Sequence, residues 1–251
     1  MATAFDVGGS GETVVLVHAG IADRRMWEPQ WDVLCEHRRV VRLDLAGFGE
    51  TPIDHLPLTY ALDVVALLDE LGIGAATFVG ASLGGRVVLE LAVARPARVR
   101  ALVVAAPGLP EHEWSQEVED YGAAEDEAVS RGELERATEL NLRMWLDRPG
   151  RAPGAVDPAV RSRVAEMQRH ALEQQAPHWP QLHEQLLAPD VGERLPGIAA
   201  PALVLCGDED VVDMRTLARR IAGEIPGASH LPSLEQPAAF NARMLAFLGS
   251  A

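Results

Sequence analysis

Gly80-Ala-Ser-Leu-Gly84 sets one serine between two glycines, after an apolar run ending at Val79 and before the helix-like run Arg86-Val-Val-Leu-Glu-Leu91. This is the G-x-S-x-G pattern, in which a tight strand-to-helix turn holds a hydroxyl clear of the sheet. The glycines have a steric task, because neighbouring backbone must pass close to Ser82. A helix that starts at the serine points its N-terminus at the charge developing on an attacked carbonyl oxygen. The chemistry implied is nucleophilic attack by a hydroxyl. A neutral serine is a weak nucleophile, so a base must take its proton.

Such a turn needs strands and helices that alternate around it. Apolar, β-branched runs at 13–18, 40–45, 76–80, 102–105 and 201–206 read as strands, and 27–37, 60–71, 84–94, 214–223 and 237–248 read as helices. From 111 to 195 no strand is expected; the stretch is helical in composition, acidic from Glu111 to Glu127, and broken at 149–153. The fold class expected is α/β, a mostly parallel central sheet with helices on both faces. Residues 1–110 and 196–251 would form the core and 111–195 a helical cap over the strands' carboxyl ends. Met144 and Trp145 in this insert, with Ile21, are candidates for lining a substrate pocket, although the two insert residues could equally be its own core. The acidic run reads as a solvated face. Gly8-Gly-Ser-Gly11 precedes a strand and is a turn, not a phosphate loop.

Composition narrows the partners. The 251 residues are 48% apolar and carry a formal charge of −15, with a pI near 4.9. So acidic a chain repels nucleic acid and anionic membrane surfaces. A small molecule is the partner expected, and nothing indicates the oligomeric state. Cys35 and Cys206 lie in core-like stretches and read as buried thiols of a reducing cytoplasm. The start shows no secretion signal, and the apolar runs are too short to span a bilayer. No H-E-x-x-H, paired cysteine or carboxylate cluster has ligand spacing, so neither a metal nor another cofactor is implied.

Taken in order, several segments resemble the α/β-hydrolase superfamily over nearly the whole chain, with small esterases and enol-lactonase-like members nearest. Val17-His-Ala-Gly20 resembles its first oxyanion loop, and Asp44-Leu-Ala-Gly-Phe-Gly49 its D-x-x-G-x-G loop. Pro201-Ala-Leu-Val-Leu-Cys-Gly-Asp-Glu-Asp210 resembles the late strand that delivers an acid, and Ser229-His-Leu-Pro-Ser-Leu-Glu-Gln-Pro237 the stretch that carries a histidine. The resemblance implies Ser82 as nucleophile, His230 as base and Asp210 as the acid that orients it, in the superfamily's chain order. The backbone N–H groups of Leu83 and Gly20 would then form the oxyanion hole, each worth on the order of 3 kcal/mol in the transition state. Asp208 and Glu209 are rival acids; the family's G-x-x-D spacing from Gly207 favours Asp210. His18 becomes an anchor of the oxyanion loop rather than a base, and the other six histidines read as surface residues.

The expected activity is hydrolysis of an ester or lactone of a small, mostly apolar molecule through an acyl-enzyme. Carbon–carbon bond hydrolysis, peracid formation, or ligand binding on a receptor-like scaffold are the alternatives the same residues allow. Dehalogenase and epoxide-hydrolase chemistry would need Asp where Ser82 stands.

One spacing departs from the family. Only twenty positions separate Asp210 from His230, where a helix, a strand and a loop normally fit. A ten-residue helix descends about 15 Å, and six extended residues return about 20 Å. The histidine can therefore regain the active edge only if 224–229 replaces the strand, and Pro226-Gly227 suits that poorly. Either the final strand is truncated, or residues are missing from the sequence. The phrase Ile225-Pro-Gly-Ala-Ser-His230, which suits a turn just before the histidine, favours the second.

Overall fold

The computed structural model describes residues 3–148, 151–152, 154–219, 223–225 and 227–249. Most of the break expected at 149–153 lies outside these residues, as do 220–222, expected to end a helix, and Pro226.

The strands are β1 (Phe5–Gly8), β2 (Thr13–Val17), β3 (Arg39–Leu43), β4 (Ala76–Ala81), β5 (Val99–Ala105), β6 (Ala202–Gly207) and β7 (Gly223–Ile225). They form one sheet in the order β1-β3-β2-β4-β5-β6-β7. β1 runs antiparallel to β3, and the other pairings are parallel. Because side chains alternate along a strand, the sheet feeds two cores. Val15, Val17, Phe78, Leu102 and Val104 enter one, with α2 (Tyr60–Glu70), α3 (Leu83–Ala94) and α8 (Val212–Arg219) packed over it. Val14, Leu16, Val79, Val103 and Ala105 enter the other, under α1 (Glu28–Cys35), α9 (Pro232–Glu235) and α10 (Pro237–Leu248). Burial on both faces explains the unbroken apolar runs of the central strands.

Between β5 and β6 the chain forms α4 (Gln116–Ser130), α5 (Leu134–Leu142), α6 (Pro158–Gln175) and the short α7 (Val191–Arg194). Ala128, Val129, Ala137 and Leu172 give α4, α5 and α6 a small core of their own. After α5 a π-type turn, Arg143–Asp147, closes when the Arg148 N–H donates to Arg143 O at 3.0 Å.

Two loops fix the sheet's carboxyl edge. The buried Asp44 carboxylate accepts the backbone N–H groups of Arg24 (2.7 Å) and Glu50 (2.9 Å) and pairs with the Arg24 guanidinium. Gly49 makes this possible: its φ is +50°, and a Cβ there would come within 2.2 Å of Asp44 Oδ2.

The second loop resolves the anomalous spacing. The final strand exists, truncated to three residues, and Gly223, Glu224 and Ile225 pair with Leu205, Cys206 and Gly207, the carboxyl end of β6. Only the top of the strand remains, so α8 need not carry the chain to the bottom of the sheet. In the sequence as it stands, this short strand is what returns the chain toward the carboxyl edge of the sheet. β7 was not expected from sequence because Pro226-Gly227 adjoins it, and β1 was missed because four residues carry too little pattern. Beyond β7 the backbone crosses the end of β6 in close contact. A Cβ on Gly207 would lie 2.0 Å from Ser229 O and 2.3 Å from Ala228 O. The replacement Gly207→Ala should therefore cost about 2 kcal/mol or more, read as a lowered denaturation midpoint with an unchanged slope.

Candidate active site

Ser82 caps α3 at the end of β4 with φ +50° and ψ −111°, a left-handed conformation rare for a residue with a side chain. Such strain costs on the order of 1–3 kcal/mol and persists only where the surroundings enforce it. Here the Ser82 N–H donates to Ala105 O (2.8 Å) and the Gly84 N–H to His18 O (3.0 Å). A Cβ on Gly80 would sit 2.4 Å from Gly84 O, and one on Gly84 would sit 2.2 Å from Val17 O. Both glycines are thus required by close backbone, as the elbow pattern implied.

The structure brings the three expected side chains together. His230 Nε2 lies 2.7 Å from Ser82 Oγ, and His230 Nδ1 lies 3.0 Å from Asp210 Oδ2. A carboxylate can only accept, so Nδ1 carries the ring proton and Nε2 is free to accept from the serine hydroxyl. Asp210 and His230 are both buried. The Val211 N–H donates to Asp210 Oδ1 at 2.7 Å and fixes the carboxylate. The rival acids are engaged elsewhere: Asp208 accepts the Gly227 N–H at 2.8 Å, and Glu209 pairs with Arg151. His18 is buried, donating from Nδ1 to Ala19 O (2.8 Å) and accepting the Leu45 N–H at Nε2 (2.9 Å). Both ring nitrogens are spent on loop backbone, and burial lowers its pKa, so it stays neutral. His112, expected at the surface, is partly buried with Nε2 donating to Asp213 Oδ1 at 2.9 Å.

A carboxylate not foreseen in this role holds the His230 backbone. Glu235 accepts the N–H groups of Ser229 (3.0 Å) and Leu231 (3.1 Å), the two neighbours of His230. Arg151, from the helical segment, donates to Glu235 Oε2 at 2.8 Å and pairs with Glu209 beside Asp210. One guanidinium thus ties the acid loop to the histidine loop, with little of either Arg151 or Glu235 exposed. Trp145, in the π-type turn, adds a third hold. Its carbonyl accepts the His230 N–H (3.3 Å), and its indole lies 4.6 Å from the imidazole, centroid to centroid.

A cavity of about 290 Å³ opens on Ser82 and His230. Gly20, Ile21, Leu83 and Phe48 line its floor, and α4, α5 and α6 supply Tyr121, Glu125, Asn141, Gln168 and Gln175 to its roof, with Trp145 at the side. A Cβ on Gly20 would be 3.6 Å from the Leu83 side chain. Among the described residues no hydrogen bond within the protein engages the Gly20 or Leu83 N–H, so the two expected donors stand beside the serine uncommitted. Ile21 and Trp145 line the cavity as expected. Met144 does not: it is buried in the main core, because successive residues of a helical turn diverge by about 100°. Two further expectations change. The lining mixes apolar with polar side chains, where a mostly apolar substrate was expected. Glu125, part of the acidic run read as a solvated face, lines the cavity, while Glu117, Glu119, Asp120, Asp126 and Glu127 are exposed. The signal for Glu125 was its spacing: Tyr121 and Glu125 are four apart, on one face of α4.

The Arg151 tie generates a prediction. Arg151→Ala leaves a buried carboxylate at Glu235 without its cation and should cost about 3 kcal/mol or more, measured by thermal or chemical denaturation. Arg151→Lys keeps the charge but not the fork and should recover only part of the loss.

Comparison with known proteins gives the family. The sequence pattern of the alpha/beta hydrolase family matches residues 14–243. The chain is 30% identical over 263 aligned positions to the dihydrolipoyllysine-residue acetyltransferase component of the acetoin cleaving system of Pseudomonas putida, spanning 97% of this chain and 65% of that one. It is 30% identical over 229 positions to 3-oxoadipate enol-lactonase 2 of Acinetobacter baylyi, spanning 86% and 80% of the two chains. Among solved structures, a thermophilic esterase from Thermogutta terrifontis superposes with a TM-score of 0.78 at 27% identity, spanning 99% of this chain and 93% of the other. With its mostly parallel sheet, its serine on a strained strand-to-helix turn and this match over most of its length, the chain belongs to the alpha/beta hydrolase family.

Proposed function

We propose that this protein is a serine hydrolase that cleaves an ester or lactone of a small molecule through an acyl-enzyme on Ser82. One observation carries the reading: His230 Nε2 lies 2.7 Å from Ser82 Oγ with its other nitrogen held by Asp210. As Ser82 Oγ bonds to the substrate carbonyl carbon, His230 takes the hydroxyl proton, and Asp210 stabilises the imidazolium. The oxyanion receives the N–H groups of Gly20 and Leu83. Collapse of the tetrahedral intermediate breaks the bond to the leaving oxygen, which takes the proton back from His230. In a lactone that oxygen stays tethered to the acyl group. Water then attacks the acyl ester by the same route, releasing the acid and restoring Ser82. The α4–α6 segment acts as a cap that closes the cavity and sets specificity, and the cytoplasmic setting expected from the two cysteines belongs to the same reading.

Ser82→Ala should lower kcat on short-chain 4-nitrophenyl esters by about 10,000-fold or more and abolish labelling by a fluorophosphonate probe. Wild-type protein that neither turns over nor labels would sink the proposal.

A further inference from the structure

The roof of the cavity contains more oxygen atoms at short range than hydrogens to join them. Tyr121 Oη lies 2.7 Å from Asn141 Oδ1 and 3.0 Å from Glu125 Oε2, and Asn141 Nδ2 lies 2.5 Å from Glu125 Oε1 and 2.9 Å from Ala137 O. The asparagine's orientation is settled by its neighbours, since its nitrogen must be the end that faces two oxygens. Its Oδ1 therefore faces the phenol and needs the phenol's single hydrogen. The contact between Tyr121 Oη and Glu125 Oε2 is then left with no hydrogen unless Glu125 supplies one. A protonated Glu125 donates from Oε2 to the phenol oxygen and closes a ring in which every short contact is a hydrogen bond.

The surroundings agree. Among the described residues, Glu125 is contacted by Tyr121 and Asn141 and pairs with no cation. The charge acting on it is that of Asp126, also negative, which accepts the Trp179 N–H at 2.9 Å. Burial and this neighbour push the Glu125 carboxyl above the usual carboxylate range.

We infer that Glu125 stands in the cavity as a neutral carboxylic acid, and that its ring with Tyr121 and Asn141 selects substrates carrying an uncharged hydrogen-bond donor, a hydroxyl or amide N–H, away from the reacting carbonyl. The ring spends every hydrogen it owns, on its own members and on Ala137 O, so it offers the cavity only lone pairs. A hydrocarbon tail would strip water from these acceptors and replace nothing, and an anionic group would meet them with like polarity. A donor satisfies them.

This selection rests on the Ser82 reaction proposed above, and the test separates the two. kcat/KM is measured on the 4-nitrophenyl esters of N-acetyl-β-alanine, heptanoic acid and adipic acid, which present an amide N–H, a hydrocarbon and a carboxylate on acyl chains of similar length. The amide ester should exceed each of the others by about tenfold, and Glu125→Leu and Tyr121→Phe should each reduce that ratio to near one. The infrared spectrum of the wild type at pH 7 should show a carboxylic-acid C=O band that is missing in Glu125→Gln. The wild-type ratio stands even if a variant fails to fold. A wild-type ratio of one or less, or the absence of the band, overturns the inference while hydrolysis of the heptanoyl ester and fluorophosphonate labelling keep the Ser82 reading intact. Loss of both turnover and labelling overturns the two together.

Discussion

A hydrogen-bond contact of 2.7 Å between Ser82 Oγ and His230 Nε2 joins residues 148 positions apart. It forms because three segments end at the same edge of one sheet: β4 with Ser82, β6 with Asp210, and the chain beyond β7 with His230. Each arrives under a different constraint. Ser82 is forced into a left-handed turn by backbone bonds from both sides. Asp210 is fixed by the N–H of its neighbour Val211. His230 has neither device, because the strand before it is only three residues long.

What holds His230 is a set of contacts that replace strand pairing. Gly207 lets the backbone at Ala228 and Ser229 lie on the end of β6. Glu235 takes up the amides on either side of the histidine, and Arg151 neutralises Glu235 while reaching Glu209. A buried, bridged charge is a weak source of net stability but a strong source of geometric definition, since displacing either partner strands the other. The position of the imidazole is thus set from the helical segment as much as from the sheet.

The elbow was legible in sequence because its requirements are local: small residues on either side of Ser82, a strand before and a helix after. Asp210 and His230 were legible through the order and flanking residues of known relatives. The short return to His230 was not, because pairing three residues with the top of β6 depends on where α8 stops, which no local pattern records. Whether Met144 lines the pocket or joins a core was left open for a related reason. A π-type turn sends adjacent side chains to different surroundings, and composition alone cannot say which of Met144 and Trp145 meets the cavity. The polar roof escaped notice because Glu125 lies among exposed carboxylates, and only the packing of α4 on α5 separates it from them.

The indole of Trp145 rests on the imidazole while its own carbonyl receives the histidine's amide. The same residue therefore walls the cavity and holds the imidazole. A change in the backbone of that one turn would therefore reach the cavity wall and the imidazole together.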